Sequence, residues 1–595
     1  QLLAGDENER FTGKAKIILT GKRKDPSLIM SEVLDASNKV LGVTGNLTLY
    51  GRQISSISAR LSAPVNAGSN TIELDSVPAD WEIGDEILLL PTQRATNEYE
   101  TRVITDISGN TLTLDKAVDF YHFGAPTSTK TVTQGTIDMR GEVLHLTRNI
   151  EIRGDSQDNW GGRVFIGQVY EPITQTFFRG KAILDGVSLV NCGQANTSFA
   201  GLTFEEMNQE GSDSYIVNTV VRDSNGWNAK ISGANYVKIE KSIFFKGVQH
   251  QLVIKSGVLG VSNLEIKNNY IVGMKKRAIT TNGNDADFQA ALYADLKMPS
   301  SSISGNIVAG CDGECIAAIG GPCGDSGVLA NNVAHSGEIG WLVTSPGNCI
   351  GISDFIGYKL EDAVVSYFTS SSAVARNLAL TDNKRSLIIN TGGIDNVDHN
   401  IQVKDSYIAG ISLNTYPITA ECSQLFGIYI PVSTTSVKSI PPTQSSLPWR
   451  KIKSPTLFKS YLTVTNVVFE NFDDSLVSGC TGNKIFKSNE YASDSSSNTF
   501  ISGVTLNSVA TDAKVWFDPP EDEWIGVDNC GGWYCTGISN ILIKDTDGSF
   551  TGQPSVLFPN NKGVADSDIC TFSESQNAYV CTGTGYGLLT FESQD

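Results

Sequence analysis

Apolar residues in the first 165 positions fall in short runs that alternate with polar residues or stand four to eight long. Examples are "KAKIILTG", "TIELDSV", "DEILLLP", "TRVITDISGNTLTLDKAV" and "RNIEIRGD", most of them bounded by Gly, Asn, Asp or Pro. This is the pattern of strand, turn, strand. Within "ISGNTLTL", the pair Gly109-Asn110 can take the positive φ that a tight hairpin turn demands.

A different order begins near residue 183. The word apolar-x-Asn/Asp/Gly/Ser-x-apolar-apolar recurs from Ile216, Ile239, Ile266, Ile303, Leu329, Ile352, Val374 and Val403, at steps of 23, 27, 37, 26, 23, 22 and 29 residues. One coil of a parallel β-helix needs three short strands and three turns, which uses about that many residues. Evenly spaced strands of a sandwich would not explain why similar words return at that interval. Stacking puts the apolar positions in inward ladders, and Asn at a turn can satisfy buried backbone groups. The expected fold is all-β: a β-rich N-terminal domain continuing into a right-handed parallel β-helix with loop insertions.

Two stretches interrupt the repeat. "DADFQAALYADLKM" reads as an α-helix capped by Asp285, with Phe288, Leu292 and Leu296 on one face and Pro299 as its stop. "STTSVKSIPPTQSSLPW", from Ser433, reads as an exposed loop. Strand-like words return at "LTVTNVVFENF" and "ISNILIKDTDGSF". The expected divisions are residues 1–170, 171–475 for the repeats, and 476–595 for a C-terminal β-rich continuation with disulfides.

Composition sharpens this picture. The chain has 595 residues, 57 of them Gly, and only 18% are charged, which suits many tight turns better than long amphipathic helices. A net charge of −19 argues against nucleic acid, whose phosphates need a basic face. No apolar run reaches the roughly 18–20 residues that would span a bilayer. Eleven cysteines occur, and ten fall in close-set groups after residue 310: Cys311/Cys315, Cys323/Cys349, Cys422/Cys480, Cys530/Cys535 and Cys570/Cys581. Disulfides in an oxidising, extracellular setting are expected, although spacing leaves the connectivity open. Cys192 stands apart as a free thiol, an intermolecular link or the partner of a cysteine on a missing segment. The sequons at Asn46 and Asn196 permit glycosylation there.

The words "FTGKAKIILTG", "LGVTGNLTLYG", "DWEIGDEILLLPT", "SGNTLTLDKAVDFYHFG", "DMRGEVLHLTRNIEIRGD" and "LVNCGQ" resemble the eight-glycine domain of large extracellular proteins. In that family the domain precedes parallel β-helix repeats. One branch holds fibrocystin-like cell-surface proteins; the other holds the cell-migration-inducing and transmembrane hyaluronidases. "LIKDTDGSFTG" and "CTGTGYGLLTFES" are more similar to the fibrocystin-like branch. The resemblance implies a central piece of a longer extracellular protein.

The hyaluronidase kinship implies a candidate site at Asp138, Arg140, Glu142, Arg148 and Asp155. Two carboxyl groups can serve glycosidic cleavage, and an Arg can clamp a substrate carboxylate. Where that family carries Gly-Gly-His, this chain reads Gly161-Gly162-Arg163, which removes a titratable imidazole. The competing reading is a set of ion pairs that locks the domain onto the first coil. His122 is expected to pack among aromatics. Asp545, Asp547 and Ser549 resemble the opening of a calcium loop, but Val556 stands where an EF-hand needs Glu. No cofactor or metal is expected; calcium lacks a complete loop. Trp160, Trp227, Trp341, Trp524 and Trp533 are expected in the core or turns. The expected function is a structural or adhesive module of a cell coat, appendage or filament, with itself or extracellular glycans as partner. A polysaccharide-binding or depolymerising enzyme is the alternative.

Overall fold

The computed structural model describes residues 2–31, 34–126, 129–155, 158–207, 214–277, 289–295, 298–319, 328–345, 350–369, 373–389, 399–412, 421–430, 459–488, 496–517, 541–559 and 567–585. Strands dominate, and helix among these residues is confined to the 3-10 turns Asp474–Leu476 and Thr511–Ala513.

Three columns of parallel strands build the molecule, each coil giving one strand to each column. The first column runs Leu2–Ala4, Asn46–Tyr50, Lys181–Asp185, Ser214–Val217, Val237–Glu240, Glu265–Lys267, Ser302–Ser304 and Leu329–Ala330. The second starts Ala15–Leu19, Ile150–Gly154, Val187–Val190, Val220–Arg222 and Ile243–Phe245. The third starts Val40–Val43, Arg163–Glu171, Leu202–Met207, Ala229–Ala234 and Leu252–Lys255. The chain is a parallel β-helix, and its coils begin within the first residues.

The sequence repeat is the coil. Ile216 pairs with Ile239, Ile239 with Ile266, Ile266 with Ile303 and Ile303 with Leu329, all buried in one continuous apolar core. The third letter of each word turns the corner in the left-handed region, with φ of 50° at Asn218, 44° at Lys241, 56° at Asn268, 67° at Gly305 and 55° at Asn331. Asn and Gly tolerate that conformation best, which explains their recurrence. The word at Val374 is framed one residue early: Ile352 pairs with Ala375, and Ala375 with Val403.

The fourth letter stacks as a buried polar ladder. Asn306 donates through Nδ2 to the Ile266 carbonyl at 2.9 Å and to Asn332 Oδ1 at 3.0 Å, while its own Oδ1 accepts from the Asn269 amide at 3.0 Å. Asn269 and Asn332 repeat the pattern on the coils beside it. Backbone groups that the corner removes from the strand ladder thereby find partners out of water.

Between Asn46–Tyr50 and Ile150–Gly154 the second coil does not turn directly but holds a separate layer. Its strands Ser58–Arg60, Glu142–His145, Glu86–Leu89, Glu100–Ser108, Thr111–Leu114 and Thr71–Glu73 form an antiparallel sheet in that spatial order. The expected hairpin is present, with Ser108 opposite Thr111 and Gly109 at φ 60°. This sheet has its own core around Trp81, Ile87, Leu89 and Leu112. Its other face buries Ile54, Ile57, Leu88, Leu90, Leu144 and Leu146 against the outward-facing Val220, Ile243, Phe245, Val272 and Ala309 of the solenoid. A second small hairpin, Thr129–Val132 with Gly135–Asp138, lies further along the same face.

The helix expected from Asp285 is corrected. Ala290–Asp295 is a strand, with Leu292 between Leu252 and Ile316 in the ladder. An inward-facing segment flanked by strands on both sides must supply hydrogen bonds in both directions, and a helix cannot. Asp285, Phe288 and Leu296 lie outside the described residues, as does the loop from Ser433. The returning strands are Lys459–Thr465, Val468–Phe472 and Ile541–Asp545; the last pairs antiparallel with Ser555–Pro559.

Disulfides join Cys311 to Cys315, Cys422 to Cys480 and Cys570 to Cys581. Cys323, Cys349, Cys530 and Cys535 lie outside the described residues. Cys192 is a fully buried free thiol, with its pKa pushed up to about 12 by burial, so it is sealed from an intermolecular bond.

Candidate functional site

The strand Glu142–His145 and the hairpin ending at Asp138 bring three of the expected site residues to one place, the junction between inserted sheet and solenoid. Arg140 grips Asp138 in a two-pronged pair, Nε to Oδ1 at 3.0 Å and Nη2 to Oδ2 at 2.8 Å. Glu142 is 1% exposed. Its Oε1 lies 2.9 Å from Arg60 Nη1 and 3.6 Å from Nε2 of His335, which the solenoid supplies. Arg60 also donates to the carbonyls of Asp138 at 3.2 Å and Arg140 at 2.6 Å. The Tyr358 hydroxyl donates to the Asp138 carbonyl at 3.1 Å, and the Tyr358 ring stacks on His335 at 4.8 Å.

Burial would raise both carboxyl pKa values, but neighbouring charge outweighs it. Arg60 and His335 hold Glu142 below the usual range, and Arg140 with Arg60 does the same for Asp138. Burial opposes the Arg60 charge, yet Glu142 keeps that guanidinium firmly protonated. Both carboxylates are therefore ionised at neutral pH, and Glu142 is also enclosed. A general acid needs the opposite, a proton held near neutrality and access to substrate.

The other expected members are elsewhere. Asp155 pairs with the buried Lys39, which also donates to the Asp155 carbonyl at 2.8 Å. Arg148 donates to the Asn218 carbonyl at 2.6 Å and Asn218 Oδ1 at 2.9 Å; burial lowers its pKa to about 9. Arg163 is buried and donates to the carbonyls of Ala36 at 2.6 Å and Ala200 at 3.1 Å and to Thr203 Oγ1 at 3.1 Å. It ties the first three coils of the third column together.

The sequence did not point to the partners. Arg60, His335 and Tyr358 sit in unremarkable words and meet only through the fold. His122 is fully buried, with its Nε2 2.8 Å from Glu100 Oε1 and its Nδ1 2.8 Å from the Leu90 carbonyl. His145 is held likewise, with Asp85 Oδ2 at 2.8 Å from Nε2 and Arg148 Nη1 at 3.1 Å from Nδ1. Asp85 would be raised by burial, but His145 and Arg52 bring it to about 2.

Carboxyls of the opposite kind line the bend of the solenoid beside the Cys311–Cys315 disulfide. Glu314 is 3% exposed, and burial lifts it to about 7. Asp362, two coils further along the same column through Ile339, is raised to about 6 by burial although Arg385 pairs with it. Glu338 rises too, chiefly by burial, with Lys276 opposing. A buried carboxyl titrating near neutrality carries no sequence signature beyond its apolar neighbours.

The remaining candidates serve the fold. Asp545 accepts from the amides of Gly548, Phe550 and Thr551 at 3.0, 3.1 and 2.7 Å, and Asp547 from those of Gly503 and Ser549 at 2.7 and 3.0 Å. Trp160 donates to Asn38 Oδ1 at 2.7 Å, Trp227 packs edge-on to His250, and Trp341 edge-on to Phe355. Trp524 and Trp533 lie outside the described residues. Asn46 and Asn196 are exposed.

Comparison with known proteins places these features. The G8 domain family model matches residues 1–62. Human fibrocystin-L is 24% identical, over 100% of this chain and 16% of its own length. Fibrocystin of Canis lupus familiaris is 22% identical, over 93% of this chain and 14% of its own. A G8 domain-containing protein of Dictyostelium discoideum is 21% identical, over 97% of this chain and 39% of its own. Among solved structures, a Pseudomonas phage tailspike protein covers 84% of this chain and 72% of its own at 11% identity and a TM-score of 0.24. The family 28 exopolygalacturonase of Yersinia enterocolitica covers 79% and 98% at 9% identity and a TM-score of 0.24. At such scores the fold rests on the strand pairing above. The chain spans about a sixth of the length of fibrocystin-L, carries a G8 domain at its start, and is a homologue of fibrocystin-L and fibrocystin.

Proposed function

We propose that this chain is a non-catalytic β-solenoid module of a large extracellular protein, with a structural or adhesive role in a cell-surface coat, appendage or filament. The observation that carries this reading is the enclosure of Glu142 between Arg60 and His335. The carboxylates that would cleave a glycosidic bond are instead paired where the inserted sheet meets the solenoid. Three disulfides fit an oxidising compartment, and exposed sequons at Asn46 and Asn196 fit a glycoprotein.

The test is incubation of the full chain with hyaluronan, reading new reducing ends and solution viscosity. Neither should change. Reducing ends that appear with the natural chain and vanish in Glu142→Gln would overturn the reading.

A further inference from the structure

The small hairpin Thr129–Val132/Gly135–Asp138 does not seal fully against the solenoid. Gln134 Nε2 anchors its tip to the Asp405 carbonyl at 2.8 Å, and Lys130 pairs with Glu470. The Lys130–Glu470 pair lines a cleft of about 170 Å³. At about 30 Å³ per water, that is room for about six waters or one small ring. Junctions between two bodies of one chain are where small ligands commonly bind.

The lining is divided by chemistry. Ile137 and Met139 from the hairpin and Ala409 and Ile411 from the solenoid supply an apolar wall. Thr381, Ser412, Tyr407, Asn471, Lys130 and Glu470 supply hydroxyl, amide, ammonium and carboxylate groups. The ammonium of Lys130 is matched by the carboxylate of Glu470, so the cleft offers no excess charge to a charged ligand. Part of its polar wall is set by the backbone: the Ser412 amide donates to Asp382 Oδ1 at 2.8 Å, and Asn471 Nδ2 donates to the Ile411 carbonyl at 3.0 Å. These bonds fix the turn that carries Ile411 and Ser412 before anything binds.

A ligand with one C–H face and a rim of hydroxyls, no net charge and the bulk of one ring fits this arrangement. We propose that the cleft binds a single uncharged pyranose unit of a glycan. This deepens the adhesive reading, on which it rests, by giving the module a ligand class and a place to hold it. The two carboxylates at the junction take no part.

Saturation-transfer NMR on the full chain tests it. The probes are the methyl glycosides of glucose, galactose, mannose and N-acetylglucosamine, with methyl glucuronide as the charged counterpart. At least one neutral glycoside should show transfer at millimolar concentration, and the glucuronide should not exceed it. Ala409→Phe, which fills the cleft, should abolish the signal. Tyr407→Phe, which removes a hydroxyl that also meets Lys130 and Glu470, should weaken binding at least fivefold while the chain keeps its cooperative melting transition. If Ala409→Phe fails to fold, Tyr407→Phe decides. No transfer from any neutral probe, stronger transfer from the glucuronide, or binding unaltered in Tyr407→Phe would overturn the proposal. Depolymerisation of a glycan by the natural chain would instead sink the non-catalytic reading and leave the cleft standing.

Discussion

Two regions of the solenoid surface bury carboxylates and treat them in opposite ways. Under the inserted sheet Glu142 and Asp85 are buried and Asp138 is half-buried, yet each lies below the ordinary carboxylate range because an arginine or histidine faces it. At the bend after Cys311, Glu314 and Asp362 are buried and lie well above that range. Burial acts the same way in both places. Arg60, Arg140 and Arg52 of the inserted layer or its stem outweigh burial at the first region, whereas at Asp362 burial outweighs even the paired Arg385. The inserted layer thus pairs its buried acids largely with cations of its own, and His335 is the solenoid's addition at Glu142.

Removing a counter-charge should give the largest effect. Arg60→Ala leaves Glu142 buried beside His335 alone, and breaking a buried pair from one side costs about 3–5 kcal/mol. Urea unfolding of the variant should show that loss, with proteolysis of the inserted layer preceding that of the solenoid. At the bend the sign reverses. Glu314 binds its proton more tightly folded than unfolded, so its penalty grows as pH rises from about 4.5 to about 7 and is absent at lower pH. Glu314→Gln should therefore stabilise the chain by about 3 kcal/mol above neutrality, at about 1.36 kcal/mol per pH unit, and by nothing near pH 4. Melting curves at pH 4 and pH 8 check it. Asp85 should behave conversely: its contribution is present above about 4 and fades as pH falls toward 2.

Neutral contacts sharpen the contrast because they should ignore pH. Asn306→Ala deprives the Ile266 carbonyl and the Asn269 amide of their partner, with an expected loss of about 2 kcal/mol at both pH values. Cys192→Ala removes only a buried sulfur. It should change stability by about 1 kcal/mol and leave migration on a non-reducing gel unaltered.

The sequence carried the coil well and the junction poorly. Ile216, Ile239, Ile266, Ile303 and Leu329 announced themselves because stacking demands an apolar inward residue and a left-handed corner at each turn. Val374 was misframed by one residue because both Val374 and Ala375 suit an inward position. Ala290–Asp295 read as helix because Ala, Leu and Asp are ordinary helix residues, and only strands on either side reveal its pairing. Asp138, Arg140 and Glu142 were visible as a charged word. Their partners Arg60 and His335 stand 82 and 193 residues from Glu142, and no local pattern links them. Which of two roles a carboxylate plays was settled by those distant partners.

The most direct test is a double-mutant cycle on that pair. Unfolding free energies of the natural chain, Arg60→Met, Glu142→Gln and the double variant isolate the coupling between guanidinium and carboxylate. A coupling of about 2 kcal/mol or more is expected, with the double variant more stable than Arg60→Met alone. A coupling near zero would mean that Glu142 does not bind Arg60 across these two neighbouring strands of the inserted sheet, and the structural role assigned to it would fall.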